Sequence, residues 1–419
     1  MRIKLVTFAP HPNFGTCLQS YALNKVLTDM GHDVEFIYNG REHKPIGIKG
    51  YIKKVIKRLL PSKVRNVIKK NRKQQRVVSS ALTEKPPYIL VLPNNYLKYF
   101  LSKLPGFSTV YKKYKCENLQ WQKVYRFTFE DGNFKMKRLY IEKQYAEVVD
   151  DADIFVTGSD QIWNPYCGGF NPMMFLEFAG DKKKIAYSSS ISRPFLPKEV
   201  EERIKIDLGK FQHIAVREQK SVEILRKLLN RNDVRLVVDP TYLLTKEEWT
   251  RFGQRANIEF KLPSKYIFCY FIGTRKDDYN QMVENVKHQL GIQDVIIIDC
   301  VGSDMKYGNG FVYKDGGPYE FVYLINHASY VCTDSFHATI FSLKFQKEFV
   351  HILKSEDDGD VNSQNTRMFD ILKRYGLLYK LYKNDSLEWM REIDYSVVNE
   401  IIDEEIKNSM VYLKNAINN

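Results

Sequence analysis

IKLVTFAPHPNFGTCLQSYALNKVLTDMGHDVEFIY, residues 3–38, changes its hydrophobic period twice. Residues 4–8 form a short apolar run of strand length, and a proline-containing loop over 10–15 follows. Cys17, Leu18, Tyr21, Ala22, Val26 and Met30 then recur three or four apart, the spacing of one helix face. Gly31 is the residue type that ends a helix, and residues 34–38 turn apolar again. Strand, helix and strand in this order predict a βαβ unit in a parallel sheet.

Outward from this opening, the alternation resumes at a distance. Residues 152–157, 184–190, 213–216 and 235–238 read as strands, with helices over 198–208 and 220–229. Residues 241–262 read as a linker, with Asp239-Pro240-Thr241 as a turn leading into it. Beyond it, 266–272, 295–299, 330–333 and 348–353 read as strands, and 278–290, 319–326 and 338–345 as helices. Single hydrophobic cores stop growing near about 250–300 residues, so a 419-residue chain is expected to divide. The division read here is an α/β unit over 1–240 and another over 263–380, facing each other across a cleft, with C-terminal helices over 381–419. A basic and aromatic insertion interrupts the first unit over about 45–125.

At 44% hydrophobic and 27% charged, the chain reads as globular rather than disordered. No apolar run approaches the ~18 residues that span a bilayer, and MRIKLVTFA is too short for a signal peptide. A cytoplasmic protein is expected. Its six cysteines, none in a C-x-x-C pair, read as thiols of a reducing compartment, and its eight histidines lack metal-ligand spacing, so no metal is expected. The net charge of +14 is uneven: residues 49–76 hold twelve Lys or Arg and no acid. Their apolar residues recur at helical spacing, which predicts a basic amphipathic helix over 48–76 and a peripheral contact with an anionic membrane. No recognised nucleic-acid-binding motif accompanies this charge, so nucleic acid is not the expected partner.

In open α/β sheets, ligands bind at the carboxyl ends of strands. Three polar clusters lie there: Asn13-Phe14-Gly15-Thr16, Gly158 to Asn164, and Thr333-Asp334-Ser335-Phe336-His337. With their neighbours they carry a resemblance. NFGTCLQSYAL (13–23), GSDQIWN (158–164), VREQKSVEIL (216–225), VDPTYLL (238–244), TDSFHATIFSL (333–343) and NTRMFDIL (365–372) together resemble the polysaccharide pyruvyl transferase family. The resemblance covers most of the chain outside the insertion. It implies two Rossmann-like domains in a GT-B-like arrangement.

It also implies a reaction. Phosphoenolpyruvate, a co-substrate rather than a bound cofactor, would give its enolpyruvyl unit to two hydroxyls of a sugar in a lipid-linked precursor of a surface polysaccharide. A ketal forms and phosphate leaves. Such chemistry needs cations for the donor and groups that move protons. By the resemblance, Arg217 is the donor-binding arginine and His337 the histidine that donates a proton or binds phosphate. Many members carry an arginine where this chain has Ser335, and Arg367 or Arg193 would supply the missing cation. Asp160 and Asp334 complete the catalytic candidates, Asp334 as a tautomer-setting partner of His337 or a helix cap. Asn13, Thr16, Ser159, Gln161, Trp163 and Asn164 are the acceptor-binding candidates, with Trp163 equally readable as core. Two other functions fit the same pattern: a nucleotide-sugar-dependent GT-B glycosyltransferase, and a non-catalytic protein that binds an anionic glycan.

Overall fold

The computed structural model describes residues 1–8, 13–39, 119–167, 171–273, 275–298, 311–313, 316–354 and 365–419. The basic helix expected over 48–76 lies outside them.

The first sheet has seven parallel strands: β1 (Arg2–Val6), β2 (Asp33–Tyr38), β3 (Met136–Arg138), β4 (Ile154–Thr157), β5 (Lys183–Ser189), β6 (His213–Val216) and β7 (Arg235–Leu236). Their order is β3-β2-β1-β4-β5-β6-β7. The second sheet, also parallel, is formed by β8 (Ile267–Tyr270), β9 (Val295–Ile297), β10 (Phe311–Val312), β11 (Tyr330–Thr333) and β12 (Phe349–His351), in the order β10-β9-β8-β11-β12. Each sheet belongs to a Rossmann-like domain, as the alternating periods predict.

Helix α1 (Phe14–Asp29) is buried on nearly every face, including the polar Gln19, Ser20 and Asn24. It lies between the first sheet and the helices of the second domain. Phe14 meets Tyr270 and Phe321, each at 5.7 Å between ring centroids. One apolar cluster accordingly runs from Ile3 and Leu5 through Leu18 to Phe268 and Phe341.

Helices α2 (Leu119–Phe129), which begins inside the stretch read as an insertion, and α3 (Glu142–Asp151) precede β3 and β4. Helices α4 (Lys198–Leu208) and α5 (Gln219–Leu229) flank β6. The segment expected to be a linker is packed. It holds α6 (Lys246–Gly253), whose Trp249 and Phe252 are buried against Tyr21 of α1, because a short amphipathic helix with two large aromatics buries them where it can. Helices α7 (Lys276–Leu290), α8 (Pro318–His327), α9 (Phe336–Lys344) and α10 (Thr366–Arg374) complete the second domain.

The last helix, α11 (Tyr395–Asn418), returns to the first sheet. The backbone N–H of Val238 donates to Ser409 Oγ (2.9 Å), Tyr412 Oη to the carbonyl of Ala186 (3.0 Å), and Lys183 Nζ to the carbonyl of Ile417 (2.9 Å). Among the described residues no helix is long and apolar enough to cross a membrane.

Candidate active site

Strand order reverses between β1 and β4 in the first sheet and between β8 and β11 in the second. Loops leaving neighbouring strands at such a point diverge and open a crevice at the carboxyl ends. Residues 13–16 follow β1, 158–164 follow β4, and 334–337 follow β11. The fold brings the two switch points together at α1 and α9. A Cβ on Gly15 would lie 2.2 Å from His337 Nδ1, so the imidazole rests directly on the first turn of α1. Asn13 caps α1 by accepting from Gly15 N–H (3.0 Å), and Ser335 caps α9 by accepting from Ala338 N–H (3.4 Å). Neither first turn carries an acid. Two helix N-termini that meet in this way favour an anion between them.

Arg217, at the end of β6, is 2% exposed. Its Nη1 donates to Asp239 Oδ2 (2.9 Å), its Nη2 to Asp160 Oδ1 (3.2 Å) and its Nε to Glu218 Oε1 (3.4 Å). Glu218 also accepts from Ser190, Ser192 and Ser221. The guanidiniums of Arg217 and Arg367 both lie over the Phe336 ring, at 4.4 and 5.3 Å from its centroid. Burial, then repulsion from Arg217, pushes Arg367 down to about 10. It remains a cation at neutral pH.

Asp160 holds a left-handed backbone (φ 69°). Its carbonyl accepts from Ile162 and Ser190 N–H, while its carboxylate accepts from Thr16 Oγ1 (2.7 Å) and Gln161 N–H (2.8 Å). These bonds hold a conformation that would otherwise be disfavoured, a pattern common at functional sites. Burial alone would raise this carboxyl, but Arg217, then His337 and Arg367, more than offset it and set it at about 2. Asp239 is held well below the usual carboxylate range: burial opposes this, and His337 and Arg217 overcome it. Asp239 Oδ2 lies 3.5 Å from His337 Nε2, a buried atom with no hydrogen-bond partner among the described residues.

The structure thus gathers Thr16, Asp160, Arg217, Ser335, His337 and Arg367 from the sequence candidates. Others lie apart or are committed elsewhere. Trp163 is fully buried, stacks on Phe175 at 6.2 Å and donates Nε1–H to the carbonyl of Met174, so it is core and not a sugar platform. Ser159 and Asn164 are also fully buried. Ser159 Oγ donates to the Ser188 carbonyl (2.9 Å) and, more weakly, to Asp239 Oδ2 (3.3 Å), so it supports the site from beneath, and Asn164 Nδ2 donates to Gln161 Oε1 (2.8 Å). These two shape the loop from inside, with Gln161 at its edge. Arg193 lies over Tyr166 at 4.8 Å and donates to Asn164 Oδ1, in the next loop rather than at Phe336.

Asp334 neither sets the tautomer of His337 nor caps α9. Its carboxylate accepts from Ile272 and Gly273 N–H (2.7 Å each) and from Tyr279 Oη (2.8 Å), tying down the loop after β8. The carboxylate facing His337 is Asp239, which the sequence reading had placed in a linker turn. Asp239 Oδ1 accepts from Thr241 N–H (3.1 Å) and Oγ1 (2.8 Å), so the turn itself aims Oδ2 into the site. Its signal was present in the VDPTYLL motif. Glu218 and Phe336, which adjoin Arg217 and His337 in sequence, were the other residues passed over.

The family model for polysaccharide pyruvyl transferase matches residues 13–355. No curated protein sequence matches the chain. Among solved structures, it is similar to a Listeria monocytogenes protein assigned as a UDP-N-acetylglucosamine 2-epimerase (7% identity, TM-score 0.49, 99% of this chain and 90% of that one). It is also similar to the UDP-GlcNAc 2-epimerase of Neisseria meningitidis (10% identity, TM-score 0.46, 99% and 94%). A third likeness is to the glycosyltransferase SnogD of Streptomyces nogalater (10% identity, TM-score 0.41, 98% and 95%). All three are too distant to say more. The motifs that meet at the two switch points all lie in the matched region or directly beyond it, and the chain belongs to the polysaccharide pyruvyl transferase family.

Proposed function

We propose that this protein transfers the enolpyruvyl unit of phosphoenolpyruvate to two hydroxyls of a sugar in a surface-polysaccharide precursor, forming a pyruvate ketal. The observation that carries this reading is the meeting of two acid-free helix N-termini with His337 and two guanidiniums. Phosphoenolpyruvate presents a phosphate and a carboxylate; the two helix N-termini and Arg367 suit such anions, while the charge of Arg217 is taken up by its three carboxylates. One acceptor oxygen bonds to C2 of the enol while C3 takes a proton and becomes a methyl group. The second acceptor oxygen then bonds to C2 as the C2–O bond to phosphate breaks, its electrons leaving with phosphate. Two hydroxyl protons are released, one is matched at C3, and one passes to phosphate or solvent.

Roles follow from chemistry at each position. Arg367 replaces the arginine that many relatives carry at the position of Ser335. His337 carries the proton, as imidazoles do in general acid–base catalysis. Asp160, set at about 2 and bound to Arg217, is a poor base at neutral pH, so its role is to orient Thr16 and Arg217. Arg217 in turn is committed to three carboxylates and organises the site more than it clamps the donor. A lipid-linked acceptor would bring the protein to the cytoplasmic face of the membrane.

Thermal-shift titration tests the donor. Phosphoenolpyruvate is expected to raise the melting temperature of the wild type by mass action, and Arg367→Ala and His337→Ala are expected to lose that response while remaining folded. A response to a nucleotide sugar and none to phosphoenolpyruvate would favour the glycosyltransferase reading. Silence toward both would favour a glycan-binding protein.

A further inference from the structure

His337 belongs to the second domain and Asp239 to the first, and they meet through Nε2 and Oδ2 at 3.5 Å. Both side chains are almost fully buried, at 5% and 1% exposure, and among the described residues no other acceptor serves Nε2. A nitrogen left unpartnered in such a place costs on the order of 1–3 kcal/mol, a cost that an N–H at Nε2 would relieve by a small approach of Asp239 to hydrogen-bond distance. Catalytic hydrogen bonds are often long before substrate arrives and tighten in the complex. The opposite edge of the ring, Nδ1, lies against Gly15 where the two helix N-termini meet. Asp239 itself is held in place, since Thr241 donates to Oδ1, and Arg217 and Ser159 donate to Oδ2.

The charges around the imidazole decide what it can contribute. It is faced by Asp239 after β7, Asp160 after β4, Arg217 at the end of β6 and Arg367 on α10, with Glu218 behind Arg217. Three carboxylates thus meet two guanidiniums around the ring.

We propose that Asp239 is the positioning residue of His337: it holds Nε2 as the protonated ring nitrogen and leaves Nδ1 to exchange the proton with substrate. This rests on the pyruvyl-transfer reading for its catalytic meaning, but the tautomer is a property of the ligand-free protein. The dyad also spans the two domains, so it exists only when they are together.

The test uses full-length protein labelled with 15N in its histidines, His337→Gln identifying the signal. In the wild type, the neutral ring of His337 is expected to be protonated at Nε2, and in Asp239→Asn the population is expected to move toward Nδ1–H. In the transfer assay, Asp239→Asn is expected to lower kcat about 100-fold, within the range of lost general acid–base catalysis, with a KM for phosphoenolpyruvate changed less than about 3-fold. Asp239→Glu is expected to restore part of kcat. A wild-type ring protonated at Nδ1, or a tautomer unchanged in folded Asp239→Asn, overturns the proposal. Should Asp239→Asn not fold, the wild-type spectrum alone still decides. Absence of any turnover with phosphoenolpyruvate would sink the pyruvyl-transfer reading and leave the tautomer result standing.

Discussion

Arg217 shows how a residue can be legible in type and misread in use. The sequence places an arginine at the end of a strand, where a guanidinium can reach a ligand. In the fold, its three nitrogens face Asp160, Glu218 and Asp239, all buried. Buried charge survives only when paired, and removing one partner typically costs about 3–5 kcal/mol. The same coupling gives a pH prediction. Asp160 is set at about 2, below its ordinary 3.8, so its contribution to stability is complete above about pH 4 and is lost as pH falls through 2. The stability advantage of the wild type over Asp160→Asn is expected to shrink by on the order of 2 kcal/mol between pH 5 and pH 2, measured by denaturant unfolding. A constant difference across that window would refute the ion pairing described for Asp160. Asp239, also depressed, adds to the acid sensitivity of the wild type in the same direction.

At the scale of elements, α1 and α9 matter through their first turns. Both have cap residues readable from the sequence, Asn13 and Ser335. Neither cap reveals that the two turns touch. Gly15 is the reason they can: a Cβ there would overlap His337 at 2.2–2.6 Å. Its glycine is needed for close approach rather than for a special backbone angle. Gly15→Ala is therefore expected to displace His337, lowering kcat at least about 10-fold and stability by about 1–3 kcal/mol through overpacking. Alanine at Gly31, where nothing lies within 4 Å but φ is +85°, is expected to cost stability alone. Equal kcat for Gly15→Ala and wild type would show that the ring tolerates movement.

Across the whole molecule, the domains share one apolar cluster, and α11 ties the end of the chain to the first sheet. Where the domains meet, His337 of the second lies opposite Asp239 of the first. Deleting residues 410–419 removes the buried Leu413, Ala416 and Ile417 and the Tyr412 hydrogen bond. The deletion is expected to lower unfolding stability by about 3–5 kcal/mol, as the burial of two large aliphatic side chains and one small one implies. An unchanged unfolding midpoint would mean that α11 contributes nothing to the first domain.

The sequence by itself determined the fold class, the two α/β units and the family, because hydrophobic period and motif order are properties of neighbours along the chain. It also supplied most of the site's members, each from a loop after a strand. Only the tertiary structure decided which of them meet. Asp160 and Arg217 are 57 positions apart and Arg217 and Asp239 are 22 apart, and no period relates them. Their meeting depends on strand order, which places the switch points of both sheets together. Strand order also decided which polar residues are interior. Trp163, Ser159 and Asn164 stand in a motif beside Asp160, and the fold buries all three, Trp163 against Met174 and Ser159 beneath Asp239.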